Sequence, residues 1–177
     1  MKSFTHLLLV GALSSLVVIQ DLHAEERKMN KLRITSPAFS HDGTIPSKFT
    51  CDGVDVSPPL SIVNIPEKTG SLALIVDDPD APAGTWVHWV VWNILPGSRE
   101  IPENSVPRGA IQGTNDFGKQ SYGGPCPPSG THRYFFKLYA LDASLALKPG
   151  ARKGQVEEAM KGHVLAQAEL VGLYRRK

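Results

Sequence analysis

Two apolar runs, Leu72–Val76 and Trp86–Leu95, meet across the acidic, proline-punctuated segment Asp77-Asp78-Pro79-Asp80-Ala81-Pro82, and this arrangement restricts the chain more than any other. The runs are rich in β-branched and aromatic residues and bounded by Pro and Gly, which is how two buried strands flanking a loop read. Three carboxylates within four residues therefore gather at a strand end. A charge beside a buried strand has to be paired or used, so this neighbourhood is the first candidate for function.

Side chains along a strand alternate between faces. That period puts Trp86, His88 and Val90 on one face of the second strand and Val87, Trp89 and Val91 on the other. One reading of His88 is a core histidine capped by a nearby aspartate; the other is a ligand-facing imidazole. A second histidine follows in Tyr122–Asp142, where a Gly- and Pro-rich loop runs into an aromatic strand containing His132, Arg133 and Tyr134. His132 and Tyr134, two apart, share a face, and the glycines and prolines before them supply a stiff wall that allows close approach.

In this order, an Asp-Pro-Asp-Ala-Pro turn, a Trp-x-His strand, a Gly-Pro-x-Pro-Pro loop and a His-Arg-Tyr strand resemble the phosphatidylethanolamine-binding protein family, specifically its bacterial Raf-kinase-inhibitor-like branch. The resemblance runs from about Ile34 to the C-terminus. It implies a mainly β fold, an antiparallel Greek-key β-sandwich with a few peripheral helices. It also implies an anion pocket that takes phosphate or a phospholipid head group. Asp78, His88, His132 and Tyr134 match the family pattern residue by residue, and Trp86 and Gly124 match as pocket wall.

Ahead of this region, Met1–Ala24 carries Lys2, the apolar or small run Leu7–Ile19 and a polar Gln20-Asp21. Thirteen such residues are too few for a membrane span of about 20, so the segment reads as a secretory signal peptide cut after Ala24. An uncleaved anchor is the alternative, because Leu22 is larger than the residue usually found there; with no cysteine at the cut, a lipid anchor is disfavoured. Removing 24 of 177 residues leaves 153, Glu25–Lys177, one domain with room for a sizeable core. The expected location is periplasmic or secreted. The formal net charge of +2 sets up no strong field, which argues against nucleic acid, and the basic residues at the termini read as solvated.

The rest of the chain is loops and short strands. A strand is expected over Leu32–Ser36, and Phe49–Leu60 is loop-rich. His41 reads as a surface residue beside a turn. Pro96–Gly118, with four glycines and three prolines, is a long irregular crossing that the resemblance places over the sheet near the pocket. Gly154–Gly162 is the one convincing helix, with Gly162 as its stop, and Val164–Leu170 alternates as a last strand. Cys51 and Cys126 are the two cysteines. Export and an even count favour a disulfide over two separate buried thiols.

A carboxylate, two imidazoles and a phenol at a pocket mouth suit a small phosphate or carboxylate once a histidine is protonated. In this reading Asp78 holds an imidazole cationic or fixes its tautomer, while His132, His88 and Tyr134 donate to ligand oxygens. The function read here is non-catalytic binding with no cofactor. The rival is a hydrolase on the same atoms. A zinc enzyme would use His88, His132 and Asp78 as ligands, yet no His-Glu-x-x-His helix occurs. A serine enzyme would need a Gly-x-Ser-x-Gly elbow, which is absent, although Ser121 and Ser129 lie near His132 in sequence. Only Ala83-Gly84-Thr85 separates Pro82 from Trp86, and no helix follows Tyr174. Eukaryotic members have a longer charged loop and a C-terminal helix at those places, so the resemblance does not carry kinase inhibition over securely. The partners left open are a kinase or protease at the pocket rim and a second copy of the chain as a homodimer.

The exported protein is expected to begin near Glu25. N-terminal sequencing of the exported fraction checks this, and intact Met1 in a soluble cytosolic fraction would refute it.

Overall fold

The structure, a computed structural model, describes residues 31–176. The expected signal peptide, Met1–Ala24, lies outside the described residues. Nine strands, one α-helix and a 3₁₀ turn follow in the order β1 (Arg33–Thr35), β2 (Gly43–Thr44), the 3₁₀ turn (Ser47–Phe49), β3 (Leu60–Val63), β4 (Ser71–Asp78), β5 (Trp86–Ile94), β6 (Glu100–Ile101), β7 (Ile111–Gln112), β8 (His132–Leu141), α1 (Lys153–Met160) and β9 (Val164–Tyr174). A three-stranded sheet β1-β3-β6 packs on a six-stranded sheet β2-β9-β8-β4-β5-β7. The fold is mainly β, as expected. Two details differ: the large sheet is mixed, because β2 joins β9 in parallel, and α1 is the only α-helix among the described residues.

Strand β4 reads apolar without alternation because both of its faces are covered. On one side Leu72, Leu74 and Val76 join Trp89, Val91, Phe136 and Leu138 against Ile34, Leu60, Ile62 and Ile101 of the small sheet. On the other, Ala73 and Ile75 join Val87, Val90 and Trp92 beneath Val156 and Met160 of α1. Burying a side chain of the Leu or Ile type contributes roughly 1.5–3 kcal/mol, so these two layers dominate stability.

The alternation expected along β5 fails at one point, for a local reason. Val76 pairs with Trp89 and Asp77 with Val87, so His88 has no partner on β4 and forms a β-bulge. Consecutive residues His88 and Trp89 then face the same side: His88 packs on Tyr134 while Trp89 joins the same core layer. Val90, expected beside His88, lies on the opposite face. A second register shift follows near Asn93, whose φ of 57° and amide bonds to Leu145 (2.8 and 3.1 Å) tie β5 to the 142–152 connection. The helix is shorter than expected at its C-terminal end, since Gly162, at φ 78°, turns the chain into β9.

Cys51 and Cys126 form a disulfide with Cα atoms 5.4 Å apart. Three further bonds stitch the same two loops: Cys51 N–H to the Pro125 carbonyl (3.1 Å), Tyr122 O–H to the Phe49 carbonyl (2.9 Å) and Gly124 N–H to Asp55 Oδ1 (2.7 Å). Closing a span of 75 residues contributes on the order of 4 kcal/mol in the chain-entropy account. Urea unfolding with and without reductant is therefore expected to show a loss of up to about 4 kcal/mol on reduction. Two alkylatable thiols in unreduced protein from its native compartment would contradict the bridge.

Candidate functional site

The polar residues singled out in the sequence converge because three strand ends meet. Register pairs Asp78 with Trp86 across β4–β5, and the β4–β8 pairing ends at Asp77–Phe135, which leaves Asp78 beside the start of β8. A cavity of about 270 Å³ opens there. Asp78, His88, His132, Tyr134 and Trp86 all line it, together with Phe117, Cys126, Pro127, Pro128, Ala81 and Pro82. Gly124 does not line it. Its Cα is pressed on the 49–55 loop, where an added Cβ would come within 2.5 Å of Asp55 Oδ1 and the Phe49 carbonyl, so its role is to let the two loops approach.

Each polar group in the floor has a defined role. Asp78 is 3% exposed, and both its oxygens are engaged: Oδ2 accepts from His132 Nδ1 at 2.7 Å and Oδ1 accepts from Asp80 N–H at 2.8 Å. Asp80 in turn takes a fork from Arg133, Nε at 2.9 Å and Nη2 at 2.6 Å, as well as the Arg133 backbone N–H at 3.0 Å. The bond from Arg133 holds the Asp80 carboxyl down to about 2, so this brace between the turn and β8 persists in acid. Asp78 thus caps His132, not His88.

The His88 ring is tied elsewhere: Nδ1 lies 2.7 Å from the Gly123 carbonyl, an acceptor, so Nδ1 carries the proton. Burial lowers the pKa of His88, with the Gly123 and Gly124 backbone and the Asp78 and Asp77 charges opposing, and the ring is neutral near pH 7. In that state the other ring nitrogen, Nε2, is an acceptor, so His88 does not serve as the donor expected from the sequence. Phe117 and Tyr134 pack edge-on against the ring at 5.4 and 5.2 Å between centroids.

Two donors are left over. The Tyr134 hydroxyl and Trp86 Nε1–H are buried and have no hydrogen-bond partner. Burial first, then the Asp78 charge, raises the Tyr134 pKa, so the phenol keeps its proton. Among the described residues four buried donors have no hydrogen-bond partner, Thr69 O–H, Trp86 Nε1–H, Trp92 Nε1–H and Tyr134 O–H, and two of them belong to residues of the cavity wall.

Residues that the sequence did not single out hold this arrangement. Asn115 is fully buried in the 96–118 crossing; its amide donates to the carbonyls of His88 (3.2 Å) and Ser121 (2.8 Å) and accepts from Phe117 and Lys119 N–H (3.0 and 2.9 Å). With Asp116 Oδ2 accepting from Val87 N–H at 2.8 Å, it pins the crossing to the bulge and sets Phe117 over the cavity. Asn and Asp beside Gly118 read only as turn formers from sequence. Ser121 and Ser129, weighed as nucleophiles, do not line the cavity.

Since the folded state holds His88 neutral while the unfolded chain titrates near 6.5, protonation favours unfolding. The contribution of His88 is full above pH about 6.5 and is lost as pH falls below it. Unfolding free energies measured at pH 7 and pH 5 are expected to differ less in a folded His88→Gln protein than in the unmodified one.

The model of the family described as phosphatidylethanolamine-binding protein matches residues 35–175. A UPF0098 protein of Methanothermobacter thermautotrophicus is 55% identical over 150 residues, covering 82% of this chain and 99% of its own. One of Aquifex aeolicus is 50% identical, covering 82% and 89%. Among solved structures, the phosphatidylethanolamine-binding protein homologue of Chlamydia trachomatis superposes with a TM-score of 0.81 at 44% identity, covering 84% of this chain and 99% of its own. YbcL of E. coli superposes with a TM-score of 0.78 at 32% identity, covering 83% and 99%. By fold, by sequence and by the residues gathered at the strand ends, the chain belongs to the phosphatidylethanolamine-binding protein family.

Proposed function

We propose that the protein is a non-catalytic binding protein whose Asp78–His88–His132–Tyr134 cavity takes a small oxyanion, a phosphate or the phosphate of a phospholipid head group. The observation that carries this reading is the pair of buried, unpartnered donors, Trp86 Nε1–H and Tyr134 O–H, on two residues that line the cavity together with Asp78, His88 and His132. Each leaves a hydrogen bond unmade at a penalty of about 1–3 kcal/mol, which an acceptor-rich ligand removes. His132, oriented through Nδ1 by Asp78, presents Nε2 as a third donor when its ring is protonated.

The hydrolase alternative finds less support. No serine or threonine hydroxyl lines the cavity, and Cys126 is tied up in the disulfide. Among the described residues, Asp78, His88 and His132 do not gather into a metal-holding set. A periplasmic or secreted location fits the Leu7–Ile19 run and is supported by the disulfide, a bond that persists in oxidising compartments. A protein partner, a kinase or protease, would meet the ligand at the rim formed by Ala81, Pro82, Pro128 and the exposed Phe117.

Calorimetric titration with inorganic phosphate tests the reading. Affinity is expected to fall as pH rises through the imidazole range, because a neutral ring loses a donor and a charge. His132→Ala is expected to weaken binding by about tenfold or more, the equivalent of one charge-assisted hydrogen bond of about 1.5–3 kcal/mol. Unchanged affinity in a folded His132→Ala protein would reject this pocket, and turnover abolished by the same change would favour the hydrolase.

A further inference from the structure

At 11 residues β9 is the longest strand among the described residues, and over most of its length it is a sheet edge. β8 pairs with it from Tyr174 back to Val164, whereas on its other side β2 meets it only at Gly172 and Leu173. The outward backbone groups near that end are occupied. Val171 N–H donates to His41 Nδ1 at 3.3 Å, the Val171 carbonyl accepts from Asp42 N–H at 2.9 Å, and the Leu173 carbonyl accepts from Ile45 N–H at 2.8 Å. Outward groups recur at every second residue of an antiparallel ladder, so the next ones along are the N–H and C=O of Glu169 and of Gln167. Among the described residues nothing bonds to these four groups.

An open edge is a template for any extended chain that reaches it, and sheets ordinarily shorten, charge or cover their edges. The remaining edge strands here are short: β6 and β7 have two residues each and β1 has three. Val164–Leu170 is not protected in that way. It contains no proline, lysine or arginine, and its one charge is Glu169.

The two faces of this segment set what can pair with it. Toward the main core, Ala166 and Ala168 are small, half-buried and packed on the core's rim. Larger apolar side chains of an added strand would cover them. On the opposite face the exposed Gln167 and Glu169 stand across from Tyr139 and Lys137, around a depression of about 340 Å³. Register makes Lys137 the neighbour of Glu169, but the Lys137 ammonium goes to Asp77 at 2.8 Å, and Glu169 has no ion-pair partner among the described residues. A cation beside Glu169 is the complement this face lacks.

We propose that Val164–Leu170 is a docking edge for an extended segment of another protein, which adds to the large sheet antiparallel to β9 with apolar residues beside Ala166 and Ala168 and a lysine or arginine beside Glu169. Backbone hydrogen bonds supply the affinity, and the alternation of apolar and basic side chains supplies the choice of partner. A second copy of this chain is a poorer occupant, because β9 laid antiparallel on the same segment brings no cation to Glu169. None of the edge residues lines the strand-end cavity, so the two sites stand or fall separately.

The probe is an end-capped octapeptide of alternating lysine and valine, titrated into the unmodified protein. Two controls accompany it: the same peptide N-methylated at every residue, which keeps the side chains and loses the donors, and its glutamate–valine counterpart. The lysine peptide is expected to bind at least about tenfold tighter than the methylated form and at least about threefold tighter than the glutamate form. Glu169→Gln is expected to weaken it by about two- to fivefold and to reduce its salt dependence. Amide hydrogen exchange reads the same edge without a variant: the Gln167 and Glu169 N–H groups are expected to exchange fast in the free protein and at least about tenfold slower with the lysine peptide bound. Equal binding of the methylated peptide would overturn strand addition, equal binding of the glutamate peptide would overturn the basic partner, and binding of none of the three would overturn both. Slow exchange of these two amides in the free protein would overturn the open edge, and sedimentation would then show whether a second copy covers it.

Discussion

Asp77 and Asp78 are adjacent, buried and at the end of the central strand, and burying two carboxylates side by side is tolerable only if each is paired. Strand geometry sends them to opposite faces, which lets separate partners meet them. Asp77, fully buried, takes Lys137 of β8 at 2.8 Å and Lys153 of α1 at 2.5 Å, and so anchors the N-terminal end of the helix over one face of the sheet. Asp78 takes His132 and the Asp80 N–H, and so organises the cavity at the other face. One dipeptide therefore couples the docking of the helix to the orientation of His132. Removing Asp77 would strand two partly buried lysines, and removing Asp78 would strand the buried His132 ring.

The bulge at His88 solves a second problem created by the same strand end. A regular β5 would put His88 and Trp89 on opposite faces, so only one of the two could face the main core. The extra residue lets both His88 and Trp89 face Tyr134 and the small sheet, and Asn115 holds the distorted backbone by bonding the His88 carbonyl. The Gly123 N–H bonds that carbonyl too, at 3.1 Å, while the Gly123 carbonyl receives the His88 ring proton. The distortion is thus clamped from both directions, and the tautomer that gives the cavity its acceptor is a product of backbone position.

The walls are kept stiff by different means. Pro82, Pro127 and Pro128 limit backbone freedom, the disulfide and three hydrogen bonds fasten the 122–128 segment to the 49–55 loop, and the Arg133 fork braces the 78–82 turn. A rigid site loses little entropy when a small ligand enters, which suits recognition of a group with few atoms.

The sequence alone determined the strands β4, β5, β8 and β9, the helix α1 and the five polar or aromatic wall residues Asp78, Trp86, His88, His132 and Tyr134. These are encoded in local composition, in period two along strands, and in the Gly and Pro punctuation between them. The pairing of Cys51 with Cys126 also followed from their number. Other things were decided only in three dimensions. Which aspartate serves which histidine depends on inter-strand register, and the bulge at His88 depends on fitting two large aromatic rings into one core layer. Neither leaves a periodic trace along the chain. Gly124 read as wall and proved to be a contact point for a neighbouring loop; Asn115 and Phe117 read as part of an irregular crossing, and Arg133, read only as part of a strand motif, proved with them to hold the site. Their roles arise from partners 27 to 53 residues away in the chain, as for Asn115 with His88 and Arg133 with Asp80, and tertiary packing alone brings such partners together.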